Sequence, residues 1–339
     1  MNRKRLKIAV LGCGHWGKYL IKNFSTFGDC EIVLAVDIDL QKLRVIKKLF
    51  PKIEITKNIS DCLSKNLCDA LAISLPVSLH YQMAKEALNG GKHVFCEKPL
   101  AQSVSQTQDL LDLAKKKNKV LFTDYTMLYS NEVNYLKKLC RSLKYKFYTF
   151  DSRRLSFGLF RQDVDVVYDL APHDLAILIY LFGKPKEVIA WGKAHVNGNF
   201  VDDAHLLAFY PNELVAQIHV SWLFPQKVRD ITIVTNKKMI FYDDTRAQDK
   251  IEITAKAVSL KALSENYLSF RKNFVYKYQL GKIERPRIPY SEPLRLACQE
   301  FLNQVKGKKP DFGVELEVAQ VLEALSLSLK RGRLIKLLN

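Results

Sequence analysis

Three glycines near the start of the chain constrain its fold more than any other feature. Gly12, Gly14 and Gly17 form a G-x-G-x-x-G pattern between a short apolar run, Lys7–Leu11, and a helical pattern carrying Leu20, Ile21 and Phe24. In a strand, turn and helix of this kind, the first glycine permits the tight turn. The second lets the backbone approach a pyrophosphate, and the third lets the helix pack on the strand. The free N–H groups at the helix start then face an anion. A second apolar run, Glu31–Val36, ends at Asp37, 20 residues beyond Gly17. A carboxylate there accepts hydrogen bonds from ribose hydroxyls and repels a 2′-phosphate. The pattern predicts a dinucleotide site that takes NAD in preference to NADP.

Strands and helices keep alternating after this unit. Leu40–Leu49 has helical spacing, and Asp69–Leu75 reads as a buried strand. A helix through Tyr81, Ala84 and Leu88 stops at Gly90-Gly91, and the strand His93–Cys96, the helix Gln106–Lys117 and the strand Val120–Phe122 follow. Such alternation implies parallel βαβ units and an α/β Rossmann domain over 1–125. After Asn131 the pattern changes to a helix, Glu132–Ser142, and then a cluster of strands. These are Lys146–Ser152, Lys186–His195, Ala204–Tyr210, Leu214–Ser221, Arg229–Thr235 and Lys238–Tyr242, interrupted by a helix at Ala171–Phe182. Clustered strands predict an α+β domain over 126–339 with a large, mostly antiparallel sheet. Helices at Glu292–Val305 and Val314–Lys330 end the chain, and residues 262–290 are too polar to place.

The 53 Lys and Arg against 35 Asp and Glu give a net charge of +18. The basic runs Arg3–Lys7, Lys115–Lys119 and Lys137–Lys146 are scattered, whereas nucleic-acid binding needs clustered cations. No nucleic-acid partner is expected; an anionic small substrate or simple solvation accounts for the charge. No apolar run approaches the ~18–20 residues of a membrane span, and the start lacks the apolar stretch of a secretory signal. The seven cysteines are odd in number and include no C-x-x-C pair. That favours buried thiols in a reducing cytoplasm over disulfides or a zinc site, so no metal is expected.

Two clusters carry candidate chemistry. Glu97-Lys98-Pro99 directly follows the strand His93–Cys96, and the carboxyl ends of strands in such a sheet face the ligand crevice. Lys98 is thereby placed near the cofactor, and Pro99 holds it extended. The second cluster, Asp169-Leu170-Ala171-Pro172-His173-Asp174, opens the helix that runs to Phe182. Asp169 is placed to cap it, with Pro172 in its first turn. Asp169 and His173 are four apart and share a helix face, and a carboxylate orienting an imidazole is a general-base arrangement. The same residues also read as a plain turn and a capped helix with one buried histidine.

Taken together, these segments resemble the Gfo/Idh/MocA family of NAD(P)-dependent sugar and inositol dehydrogenases. The likeness runs through Ile8–Gly17, Asp37, Ser74-Leu75-Pro76 with His80, and Gly91–Leu100. It continues through Asp169–Asp174 and Glu292-Pro293-Leu294, Phe301 and Lys309-Pro310. The resemblance implies a second domain built on an open sheet and C-terminal helices, about 292–330, packing back toward the cofactor domain. It also implies homodimers or homotetramers formed through the open sheet. It implies that Gly12, Gly14, His15, Trp16, Gly17, Asp37, Ser74, Pro76, His80, Glu97 and Lys98 hold NAD. By the same resemblance Lys98 lies beside the nicotinamide and substrate hydroxyl, His173 is the acid/base and Asp169 is its partner.

The chemistry implied is hydride transfer from a sugar ring carbinol to NAD⁺. Leu75-Pro76-Val77 departs from the family's usual turn, and Asp124-Tyr125-Thr126-Met127 lacks a paired arginine, which weighs against simple inositol or glucose specificity. The stretch from Arg153 to Pro172 is more similar to the branch acting on nucleotide-linked sugars. In that reading Arg153, Arg154 and Arg161 grip a pyrophosphate or carboxylate; the alternative is three solvated arginines at strand edges. A free-sugar or inositol dehydrogenase and a non-catalytic NAD-binding regulator are the other readings.

Overall fold

A computed structural model describes residues 5–63, 67–142, 144–158, 160–196, 198–262, 274–310 and 313–337. The first part alternates as the sequence pattern predicts: β1 (Leu6–Leu11), α1 (His15–Phe24), β2 (Cys30–Val36), α2 (Leu40–Leu49), β3 (Glu54–Thr56), α3 (Ile59–Leu63), β4 (Ala70–Ile73), α4 (Val77–Asn89), β5 (His93–Glu97), α5 (Val104–Lys117) and β6 (Leu121–Asp124). The strands pair in the order β3-β2-β1-β4-β5-β6, all parallel. Chain direction across the sheet reverses between β1 and β4, so the loops after these strands frame a crevice. Parallel strands covered on both faces must be apolar throughout, and β4 is buried at every position.

The second part runs α6 (Asn131–Ser142), β7 (Phe147–Phe157), α7 (Val166–Phe182), β8 (Glu187–Lys193), β9 (Asp203–Phe209), β10 (Val215–Ser221), β11 (Leu223–Thr235), β12 (Lys238–Asp243), β13 (Ile251–Ala262), β14 (Phe274–Glu284), α8 (Pro293–Val305), α9 (Glu315–Arg331) and β15 (Ile335–Lys336). Its sheet has the order β14-β13-β12-β11-β7-β10-β9-β8-β15. Among the described residues every pairing is antiparallel except β7 with β10. The largely apolar α7 and the inner face of α9 cover one side of this sheet in a continuous core. Trp191, on β8, is 64% exposed on the other side.

The two C-terminal helices divide their packing. Leu294, Cys298 and Phe301 of α8 join the core of the first sheet, where Phe301 packs edge-on against Phe24, Phe95 and Phe122. Val318, Leu322 and Leu325 of α9 instead join the core of the second sheet. Both helices also reach the cofactor domain: the polar side of α9 meets α5, where Glu323 Oε2 accepts from the Val104 N–H at 2.9 Å, while its apolar face matches the second sheet.

Two expectations are corrected. The helix carrying His173 starts earlier than predicted, at Val166, because Asp165 is its cap and accepts from the Tyr168 N–H at 3.0 Å. Asp169 therefore lies in the helix, and Pro172 is internal. Residues 262–290, left unplaced by sequence, contain β14, while 263–273 lie outside the described residues. All seven cysteines are buried and free, and among the described residues no helix is long and apolar enough to cross a membrane.

Candidate active site

The glycine turn is built as its spacing requires. Gly12 has φ +93, and a Cβ there would lie 2.3 Å from the Ser74 carbonyl oxygen of the facing strand end. A Cβ on Gly17 would lie 1.9 Å from the Gly12 oxygen, so only glycine lets α1 pack onto its own turn. Gly14, at the helix N-cap, meets nothing within 4 Å, which leaves room on the side where an anion would lie. The first turn of α1 carries no acidic residue, and His15 and Trp16 are exposed beside it.

Asp37 is buried at the end of β2. Its Oδ2 accepts from the Cys13 N–H and its Oδ1 from the Asp39 N–H, both at 2.8 Å. This ties the acid to the glycine turn and fixes it at the crevice. These residues fit a dinucleotide: backbone space and a helix start for the pyrophosphate, a fixed carboxylate for the ribose. Asp37→Ala is expected to weaken NAD⁺ binding about tenfold or more, the scale of a charge-assisted hydrogen bond, and to narrow the preference over NADP⁺. Paired cofactor titrations read both, and an unchanged NAD⁺/NADP⁺ ratio counts against the role.

Two residues expected at the cofactor are turned inward. His80 is buried, with Nδ1 2.8 Å from the Pro99 carbonyl oxygen and Nε2 2.9 Å from that of Leu75. It clamps the turn after β5 to the loop before α4 and has no nitrogen left for a cofactor. Glu97 is buried beside Asp124 at the end of β6. Burial, followed by the neighbouring Asp124 carboxylate, raises Glu97 well above the usual carboxyl range. Burial also pushes Asp124 up to about 7. Two carboxyls that share a dry site hold a proton between them.

Lys98 follows on the same strand end, with a side chain 11% exposed, and its peptide bond to Pro99 is cis. Its Nζ donates to the Asp169 backbone carbonyl at 2.6 Å and stands 3.9 Å from Asp169 Oδ1. The crevice thus joins the carboxyl end of β5 to the first turn of α7. The predicted Asp169–His173 hydrogen bond is absent. Asp169 Oδ2 accepts from the Trp222 indole N–H at 3.1 Å, and its Oδ1 lies 3.7 Å from Arg161. Spacing of four put both side chains on one face, but stronger donors have taken the carboxylate. His173 Nδ1 is buried without a partner. Burial, then the charges of Lys98, Arg154 and Arg229, hold His173 well below its usual pKa, so it is neutral.

The three arginines separate. Adjacent residues on a strand point to opposite faces, so Arg153 and Arg154 cannot grip one ligand together. Arg153 forms a bidentate pair with Asp230, at 2.9 and 2.5 Å. Arg154 is buried beneath α7 and donates to Asp174 at 2.5 Å; its assignment to substrate is corrected to a structural pair. Arg161 alone reaches the crevice, held by Asp163 at 2.9 and 3.0 Å.

Sequence reasoning passed over Trp222, Lys227 and Arg229. Arg229 is the cross-strand partner of Arg154, and Arg229 and then burial lower Lys227. Arg154 and Arg229 lie within electrostatic reach of His173, with Asp174 and Asp244 as their counter-ions, and Lys227 adds a further cation. The signal available was Lys227-x-Arg229, two cations on one face of a strand.

The sequence pattern described as "Oxidoreductase family, NAD-binding Rossmann fold" matches residues 6–125, and the "GFO/IDH/MocA C-terminal domain" matches residues 150–241. An uncharacterized oxidoreductase of Schizosaccharomyces pombe is 32% identical over 42% of this chain. The chain spans only 41% of that relative's length. The UDP-N-acetylglucosamine 3-dehydrogenase of Acidithiobacillus ferrooxidans is 22% identical over 91% of both chains. The crystal structure of the WlbA dehydrogenase of Bordetella pertussis, with NADH and UDP-GlcNAcA, superposes with a TM-score of 0.79. It covers 99% of this chain and 100% of that one at 18% identity.

Proposed function

The chain belongs to the Gfo/Idh/MocA oxidoreductase family, and from that premise we propose that it transfers hydride between a ring carbinol of a nucleotide-linked sugar and nicotinamide. One observation carries the chemistry. An ammonium, Lys98, and a neutral imidazole, His173, face one crevice between the carboxyl end of β5 and α7.

NAD⁺ would be held by the Gly12–Gly17 turn and Asp37, and when bound it supplies the hydride acceptor. His173, whose imidazole is neutral, takes the proton from the substrate hydroxyl. Lys98, anchored by the Asp169 carbonyl, stabilises the negative charge that develops on the oxygen. Asp169 acts as a fixed anchor for Lys98, itself held by Trp222 and Arg161.

The nucleotide-linked substrate class is supported by the cations Arg161, Lys227 and Arg229 around the crevice, which suit a diphosphate or carboxylate. The named activity of the Acidithiobacillus relative, similar across 91% of this chain, points the same way. The test is NADH formation from NAD⁺ with UDP-linked hexoses, N-acetylhexosamines and their uronates, set beside free sugars and inositols, with and without a 2-oxo acid. Turnover confined to the nucleotide-linked compounds is expected. Turnover of free polyols would overturn the substrate class while keeping the catalytic residues. Silence throughout, with NAD binding intact, would favour the regulator.

A further inference from the structure

We propose that Asp203, His205 and His219 form a binding site for a divalent transition-metal ion of the zinc, nickel or copper(II) class on the outer face of the second sheet. Cysteine spacing gave no metal signal, and Asp203-x-His205 shows none until the fold brings up His219 from the next strand. The ladder brings them together. In the antiparallel pairing of β9 with β10, His205 stands directly opposite His219. Side chains alternate across a strand, and Ala204, Leu206, Ile218 and Val220 point into the core. Asp203, His205 and His219 therefore project together from the other face, away from α7 and His173.

Two residues apart on one strand plus a cross-strand partner make a triangle of donors. His219 Nε2 lies 2.9 Å from Asp203 Oδ1, and His205 Nε2 lies 4.0 Å from Asp203 Oδ2. The imidazoles stack with ring centres 4.0 Å apart. One donor atom from each residue lies within 4.8 Å of the other two. A tetrahedral ion with bonds of about 2.0–2.2 Å needs donors about 3.3 Å apart, a gap that side-chain torsions close without moving the strands.

Two imidazole nitrogens and one carboxylate oxygen suit borderline metals, whereas magnesium and calcium demand oxygen donors. Asp151 lies within electrostatic reach of His219, and Arg153, which stands opposite His219 in the ladder, is neutralised by its bidentate pair with Asp230. The His205 side chain is 42% exposed, which gives an ion access and leaves a fourth position for water. All three ligands come from one chain.

The test uses full-length protein without an affinity tag, titrated with Co²⁺ and followed by its visible absorption, and with Zn²⁺ by calorimetry. One ion per chain is expected, with a tetrahedral Co²⁺ spectrum and a rise in Tm on saturation. Loss of a ligand is expected to weaken binding by at least the roughly 10–100-fold that loss of an outer-shell partner costs. His219→Ala and Asp203→Asn should show it, and His205→Gln provides a second histidine variant. Retained NAD binding confirms that each variant is folded. His195→Ala, which removes a neighbouring His–Asp pair, should bind like the parent. No bound ion, or equal binding in the ligand variants, overturns the site; displacement by millimolar Mg²⁺ overturns the metal class.

Discussion

His173→Ala is expected to lower kcat by about 10²–10⁴-fold, the scale of a lost general acid–base group, with NAD⁺ affinity nearly unchanged. Lys98→Met is expected to cost about 10²–10³-fold, the scale of one lost donor to a developing oxyanion. The pH profile separates the two roles. Burial and the cations around it push His173 well below 6.5. As the base in oxidation it must be neutral, so activity persists as pH falls until the imidazole protonates, and the acid limb lies below 6.5. Burial pulls Lys98 below its ordinary 10.5, with Asp169 and Glu97 opposing the shift. Its ammonium is lost as pH rises, so the alkaline limb lies below 10.5. Each variant should lose its own limb and keep the other. Near-parental kcat in either, or a profile with both limbs intact, would sink the assignment.

What the sequence made legible was local. Gly12, Gly17, Asp37 and Lys98 sit at the ends of parallel strands, where spacing along the chain dictates position in the sheet. Asp169 and His173 were placed on one helix face for the same reason. The direction of the Asp169 carboxylate depends instead on Trp222 and Arg161, which reach it from a different strand end and from the loop before α7. Strand alternation could have separated Arg153 from Arg154, because neighbours on a strand face opposite ways. Arg229 could not be tied to the crevice, since its register against Arg154 is set by a pairing of distant strands. β14 was illegible for another reason. It is the edge strand of the sheet, and its short alternation Tyr276-Lys277-Tyr278-Gln279-Leu280 was lost in a stretch that is polar overall.

Asp174→Ala is expected to destabilise the protein by about 3–5 kcal/mol, because it strands a buried charge. The Arg154 and Asp174 side chains are 7% and 2% exposed. Asp174 Oδ2 takes the Arg154 Nε–H at 2.5 Å, and its Oδ1 takes the Ser152 hydroxyl at 2.7 Å. Without the carboxylate the guanidinium stays beneath α7 with Arg229 opposite it in the ladder. Burial of an intact ion pair is itself near neutral, since desolvation offsets attraction. The double variant Arg154→Met/Asp174→Leu should therefore recover most of the loss. Urea unfolding of the single and double variants measures the difference. A loss under about 1 kcal/mol for Asp174→Ala would mean that Arg154 finds water or another anion once released. That outcome would return Arg154 to the substrate, the role the sequence reading gave it together with Arg153 and Arg161. A large loss with recovery in the double variant instead leaves Arg161, Lys227 and Arg229 as the cations at the crevice, Arg161 already paired with Asp163 and Arg229 with Asp244.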